Sequence, residues 1–116
     1  MTQAEERGEL LRIFIGESDR WERKPLYEAI VLAAREADLA GATVLRGVMG
    51  YGRHSRVHTA KILRLSEDLP IVIEIADRTD KIEAFLPTVD RMVTEGLVTL
   101  ETVRVLKYRG GEAEAP

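Results

Sequence analysis

The sequence at residues 71–76 is IVIEIA, a short run in which isoleucine fills every second position. Alternation over this length predicts a β-strand with two different faces. One face would be aliphatic and the other mixed, with Ile71, Ile73 and Ile75 on the first and Val72, Glu74 and Ala76 on the second. The aliphatic face is therefore expected to lie against helices, in the core of the protein.

Residues 10–15, LLRIFI, predict a second strand of the same kind. Its alternate positions again separate an aliphatic face, Leu11, Ile13 and Ile15, from a mixed face, Leu10, Arg12 and Phe14. A monomer would leave the apolar members of the mixed faces exposed as a patch. We therefore expect a homo-oligomer that buries the open face of the sheet.

A helix and an outer strand are predicted between these two strands. Pro25 suits the first turn of a helix, because its missing N–H has no partner there in any case. Apolar residues follow at helical spacing as far as Gly41, which is a typical helix end. Residues 42–49 then predict a strand, which Gly50 interrupts.

A second helix and a last strand follow residue 76. Asp80 and Glu83 have the spacing of a capping box. Apolar residues at helical spacing continue to Val93, and Gly96 is expected to end the helix. Pro87 lies inside the helix and should kink or restart it. Residues 98–108 predict the final strand.

The order of elements is β-α-β followed by β-α-β. It predicts an α+β, ferredoxin-like split βαβ fold, in which a four-stranded antiparallel sheet carries both helices on one face. A further short strand is expected at residues 62–65. The 116 residues suit a single domain. Residues 1–9 and 110–116 are expected to be frayed tails.

Composition excludes several classes of function. The chain has no cysteine, so disulfides, thiolate metal sites and cysteine catalysis are excluded. The acidic N-terminus has no signal-peptide pattern and no apolar run is long enough to span a membrane, so we expect a cytoplasmic protein that does not insert into membranes. The net charge of −3 gives no reason to expect nucleic acid as a partner.

Charge is nevertheless concentrated in one window. Residues 46–66 contain five basic residues and no Asp or Glu, so their net charge is +5 with the histidines neutral. Gly50 and Gly52 would let backbone N–H groups form a nest for an anion, and Arg53 and Arg56 would add bidentate contacts. The alternative is a simple turn within a solvated basic loop. Tyr51 would either stack on a base or close the end of the sheet.

No metal or catalytic constellation is evident. His54 and His58 have helical i, i+4 spacing, but the region has no carboxylate to complete a metal site and is predicted to be a loop. Ser18 and Ser55 lack a His–Asp relay, so we expect the protein not to be an enzyme. Trp21 is expected either to anchor its loop on its own domain or to contact a neighbouring subunit.

Two segments carry a family resemblance. Residues 39–52, LAGATVLRGVMGYG, and residues 58–70, HTAKILRLSEDLP, resemble PII signalling proteins and a group of small bacterial relatives. The likeness extends over residues 10–108. It implies a ferredoxin-like homotrimer with a nucleotide in the cleft between subunits and a loop, after the second strand, that contacts a partner protein. Lys107 and Arg109 match basic positions of the PII tail that reach phosphates.

The resemblance and the basic window together define the candidate site. The ligand-binding residues are Gly50, Tyr51, Gly52, Arg53, Arg56, Lys107 and Arg109. The loop expected to contact a partner protein, such as a membrane transporter, comprises Arg53, His54, Ser55, Arg56, Val57 and His58. The loop is shorter than in PII, and residues 94–98 replace a glycine-rich phosphate loop. These departures from PII leave the choice of ligand open between an adenine nucleotide and another phosphorylated anion, and no cofactor is expected with certainty.

The function expected from these features is regulatory. A PII-like protein would sense a small anionic ligand at clefts between subunits and signal through its short loop. The alternative is a metal-binding trimer of the divalent-ion-tolerance type, with the loop histidines as ligands. An enzyme acting on a phosphorylated metabolite is disfavoured, because the basic window lacks a general acid–base pair.

Overall fold

The computed structural model describes residues 6–51 and 68–108. Several predicted features lie outside these residues: the strand at 62–65, the tails at 1–5 and 110–116, and Gly52, Arg53, His54, Ser55, Arg56, Val57, His58 and Arg109. Of the predicted ligand-binding residues, Gly50, Tyr51 and Lys107 are therefore described.

The described elements follow the predicted order, with one added hairpin. They are β1 (Glu6–Gly16), β2 (Arg20–Trp21), β3 (Lys24–Pro25), α1 (Leu26–Glu36), β4 (Thr43–Arg46), β5 (Pro70–Arg78), α2 (Thr79–Met92) and β6 (Leu97–Val105). Strands β2 and β3 form the short hairpin in the segment predicted to be a loop.

The main sheet has four antiparallel strands in the order β4-β5-β1-β6. The two strands that the sequence identifies most clearly, β1 and β5, are the central pair. Ile13 lies opposite Ile73 on one side and Val98 on the other. This arrangement, with two helices on one face, is the predicted ferredoxin-like α+β fold.

The core lies between the sheet and the helices. Its buried members include the predicted aliphatic faces of β1 and β5 and the apolar faces of both helices: Leu11, Ile13, Ile15, Leu26, Ala29, Ile30, Ala34, Leu39, Ile71, Ile73, Ile75, Ile82, Phe85, Val89 and Met92. The described residues include no buried polar or charged residue. The prediction of one aliphatic face beneath the helices is thus confirmed.

The first strand begins earlier than expected. The sequence predicts a frayed tail at residues 6–9, yet Glu6 lies opposite Val105 and Gly8 lies opposite both Val103 and Arg78. Backbone pairing with strands on both sides orders this polar segment, although its side chains give no alternating pattern. The frayed N-terminal tail is therefore wrong for residues 6–9.

The second helix differs from its prediction at its start and at Pro87. The helix begins at Thr79, and its N-cap, Arg78, makes no side-chain capping bond. Asp80 instead accepts two hydrogen bonds from the Arg78 guanidinium, at 3.2 and 2.9 Å, so the capping box is wrong. The helix continues through Pro87 to Met92 without restarting, and it ends before Gly96.

Candidate functional site

The chain leaves the sheet after β4 and returns to it just before β5. Arg46, the last residue of β4, forms a 3.0 Å ion pair with Glu17. Gly47 N–H donates to the carbonyl oxygen of Pro70 at 2.8 Å, and Glu17 N–H donates to that of Leu69 at 2.9 Å. These bonds bring the two ends of segment 47–69 together at one end of the sheet. This junction is the base of the predicted loop.

The backbone of Gly50 has a positive φ and lies close to Pro70. Its φ is +158°, and a Cβ atom at this position would lie 2.9 Å from Cγ of Pro70. A side chain is thus excluded both by backbone conformation and by the proline ring. Tyr51 follows with 71% of its surface exposed, so the described residues do not pack it against the end of the sheet.

The return of the chain is fixed by a carboxylate. Ser18 N–H donates to Oδ1 of Asp68 at 3.0 Å. Ser18 therefore takes part in the structure of the loop base through its backbone. Trp21, in the neighbouring hairpin, is partly buried against the core, as its interpretation as a loop anchor predicted.

The opposite end of the sheet contains a cavity of about 690 Å³. Its lining combines residues from the end of β5, the start of α2, the turn after α1 and the segment after β6: Glu6, Asp38, Leu39, Ala40, Ala76, Asp77, Arg78, Lys81, Val105, Lys107 and Tyr108. The Tyr108 hydroxyl donates to the carbonyl oxygen of Ala40 at 3.2 Å. The chain after β6 thus extends across this end of the sheet.

The basic side chains that line this cavity differ in their hydrogen bonds and ion pairs. Lys81 donates to the backbone carbonyl of Asp38 at 2.6 Å, and Arg78 is paired with Asp80 at 2.9 Å. Lys107 belongs to none of the ion pairs among the described residues. It is the predicted phosphate contact, and it lies at the exposed edge of the cavity.

The three predicted ligand-binding residues that the structure describes lie at opposite ends of the sheet. Gly50 and Tyr51 follow β4. The last residue of β4, Arg46, is opposite Ile71 of β5, which in turn is opposite Ile15 near the end of β1. Lys107 follows Val105, which is opposite Glu6 at the start of β1. The ten residue steps of β1 span roughly 33 Å, at about 3.3 Å per residue. One chain therefore does not bring the two groups together.

The open face of the sheet contains an apolar row that crosses all four strands. Leu45 is opposite Val72, Val72 is opposite Phe14, and Phe14 is opposite Leu97. The outer residues, Leu45 and Leu97, are 47% and 56% exposed. Both helices lie on the other face, so no described element covers this row.

A charged row lies beside the apolar row. Arg12 forms ion pairs with Glu74 and Glu101, each at 3.0 Å. The hydrogen bond to Glu74, together with the field of both carboxylates, raises the pKa of Arg12 above its usual value. The arginine therefore remains charged and holds both neighbouring strands' carboxylates across the open face.

Sequence reasoning missed the partners of these residues. Glu17 and Asp68 organise the loop base, and Tyr108 crosses the sheet end, but none of the three belongs to a recognisable motif. The one signal in the sequence for the crossing at the sheet end was Tyr108, the tyrosine directly after Lys107. Within residues 6–51 and 68–108, no three potential ligands are grouped to hold a metal ion. The histidines of the metal alternative lie in residues 52–67.

The structure defines a protein of PII-like, ferredoxin fold. The fold is similar to that of CPII, a PII-like protein from Thiomonas intermedia K12, in its structure bound to ADP and bicarbonate, with a TM-score of 0.58. The identity is 19%, and the match covers 89% of this chain and 92% of CPII. A second CPII structure, bound to ADP, AMP and acetate, gives a TM-score of 0.56.

The chain belongs to the DUF190 family, described as "Uncharacterized ACR, COG1993", whose model matches residues 8–105. It is 41% identical over 97 residues to a UPF0166 protein of Aquifex aeolicus, covering 84% of this chain and 91% of that protein. It is 31% identical over 102 residues to the UPF0166 protein MJ1524 of Methanocaldococcus jannaschii, covering 87% and 94%. No helix in the described part of the chain is long and apolar enough to cross a membrane.

Proposed function

We propose that the protein is a PII-like regulator that binds a small phosphate-bearing anion in clefts between the subunits of a homotrimer. The loop at residues 53–58 would carry the resulting signal to a partner protein. The observation that carries the proposal is the placement of Gly50 and Lys107 at opposite ends of one sheet. A cleft between copies is the arrangement that would let both contact one ligand.

The open sheet face supports assembly. The row from Leu45 to Leu97 is apolar across four strands and has no cover among the described residues. Burying such a row stabilises association by removing apolar surface from water. Closed rotational symmetry would give every copy the same interface. The proposal requires that this interface bring the loop base of one copy near the tail of the next.

A nucleotide is the ligand class that we favour. CPII, which shares the fold, is bound to ADP and AMP in one of its structures. In this chain Lys107 lies at the edge of a cavity, and Arg53, Arg56 and Arg109 would add charge-assisted contacts to phosphate. We expect binding rather than catalysis, because the basic window of the sequence lacks a general acid–base pair.

The test measures the mass of the oligomer by light scattering and the affinity for ligands by calorimetry. Light scattering should give the mass of a trimer, and titration with ADP, AMP, ATP and cyclic dinucleotides should identify a ligand. Lys107→Ala and Arg53→Ala should each weaken its binding by about tenfold or more, because each removes a charge-assisted contact of roughly 1.5–3 kcal/mol. Arg91→Ala, an equal loss of charge in the last turn of α2, should leave the affinity unchanged.

Three results would contradict the proposal. A monomer would remove the cleft, and equal affinity in Arg53→Ala, Lys107→Ala and Arg91→Ala would place the ligand elsewhere. Turnover of the bound nucleotide would contradict the regulatory role. Binding of a divalent cation, lost in His58→Ala, would favour the metal alternative instead.

A further inference from the structure

The β2–β3 hairpin is a compact feature that the proposed function does not use. Arg20 lies opposite Pro25, and Trp21 lies opposite Lys24, so the turn between them consists of Glu22 and Arg23. Glu22 has a φ of +57°, the left-handed conformation that a tight hairpin turn requires. The hairpin thus has a defined turn rather than an extended loop.

The base of the hairpin is fixed to the rest of the domain. Asp19 N–H donates to the carbonyl oxygen of Gly16 at 3.2 Å, and the Asp19 carboxylate accepts from Gly16 N–H at 3.0 Å. The Asp19 carbonyl accepts from Leu26 N–H at 2.8 Å, at the start of α1. Trp21 packs against the core beside these bonds. The hairpin is therefore held by its backbone and by its aromatic residue.

The outer surface of the hairpin is basic. Arg20, Arg23 and Lys24 are all exposed, and none of them belongs to an ion pair among the described residues. The Arg20 guanidinium donates to the Arg23 carbonyl at 2.9 Å, which fixes its position but leaves its charge uncompensated. With Glu22 included, residues 20–24 carry +2, whereas the rest of the chain sums to −5.

Such a surface suits a macromolecule better than a small molecule. Ligands of low molecular weight bind in concave sites, and the cavity described above is lined by residues from the other end of the sheet. Polyanion-binding proteins usually carry an overall basic charge, whereas this chain is acidic. An acidic protein segment can be bound by only a few basic side chains held in fixed positions. Electrostatic complementarity between the two surfaces then determines the specificity and the rate of association.

We propose that the β2–β3 hairpin is a docking surface for an acidic segment of a partner protein. Arg20, Arg23 and Lys24 would contact its carboxylates. Trp21 would hold the hairpin in place. The proposal is independent of nucleotide binding, because it uses none of the residues assigned to the ligand or to the loop at 53–58.

The test uses the full chain and an octaglutamate peptide as the probe. Trp21 is the only tryptophan, so its fluorescence reports on the hairpin directly, and calorimetry gives the affinity. We expect binding that weakens as salt is raised. The double variant Arg23→Ala/Lys24→Ala should bind at least tenfold more weakly, whereas Arg23→Lys, which keeps the charge, should retain most of the affinity.

The matched control removes two charges elsewhere. Arg35→Ala/Arg91→Ala loses equal charge from the last turns of α1 and α2 and should bind as the parent does. Thermal melting and the unperturbed Trp21 emission verify that each variant is folded. Three results would overturn the proposal: no octaglutamate binding, an equal loss in both double variants, or hairpin-dependent binding of poly(U) RNA without binding of octaglutamate.

Discussion

Because Gly50 has no side chain, the main chain can lie close to Pro70 where it leaves the sheet. Its backbone has a positive φ, and the ring of Pro70 occupies the space that a Cβ would need. Pro70 is the first residue of β5, so the contact joins the start of the loop to its return. The position of Gly50 after a strand predicts that the chain bends there. Nothing in the sequence predicts that Gly50 packs against Pro70.

Gly50→Ala should therefore destabilise the fold. Adopting an unfavourable backbone conformation costs roughly 1–3 kcal/mol, and the rigid proline ring allows little relief. Gly41→Ala is the matched control, because a Cβ there would meet nothing within 4 Å. We expect this control to change the free energy of unfolding in urea by less than about 0.5 kcal/mol. Equal losses in the two variants would show that the contact with Pro70 is unimportant.

At the scale of elements, strands were easier to predict than helix ends. Residues 71–76 alternate regularly because one face of β5 is buried, and the burial pattern matches that alternation residue by residue. Residues 6–9 carry no such signal, since their order comes from backbone pairing with strands distant in sequence. The start of α2 was mispredicted because Asp80 pairs with the Arg78 side chain instead of capping the helix.

The Arg78–Asp80 pair gives the start of α2 a dependence on pH. The hydrogen bonds from Arg78 lower the pKa of Asp80 below its ordinary value. A depressed folded-state pKa contributes stability above the unfolded-state pKa and loses it as pH falls through the folded value. Asp80→Ala should therefore lower stability slightly near neutral pH, where Asp80 is charged.

The difference between this variant and the parent should shrink as acid protonates Asp80. Asp90→Ala, on the same helix but near its C-terminal end, is the control and should show no such loss near neutral pH. Chemical denaturation across a pH series measures both variants. A destabilisation by Asp80→Ala that persists at the acid end would assign its effect to helix propensity rather than to the ion pair.

At the scale of the whole molecule, the proposed trimer would depend on the open sheet face. Leu45→Glu places a charge in the apolar row and should reduce the mass in light scattering from that of a trimer, about 39 kDa or three times the 13.0 kDa chain, to that of the monomer. Leu32→Glu is the control: Leu32 is similarly exposed, at 39% against 47%, but lies on α1. A trimer in Leu45→Glu would place the interface elsewhere.

The site is less predictable than the fold at this scale. Periodicity and glycine positions are local signals, and they identified the core and the bend at Gly50. The separation of Gly50 from Lys107 follows from strand order and direction, which no local pattern specifies. Likewise, the pairing of Arg12 with both Glu74 and Glu101 depends on the register of three strands.

The separation of Gly50 from Lys107 would have a genetic consequence under the proposed function. If each cleft takes its glycine turn from one copy and its lysine from the next, two defective chains can restore function together. Refolding Arg53→Ala and Lys107→Ala as an equal mixture would pair an intact turn with an intact tail in about a quarter of the clefts, although each variant alone has none. Loss-of-function variants would therefore form two complementation groups. One group would affect the turn at the end of β1, and the other the tail near its start.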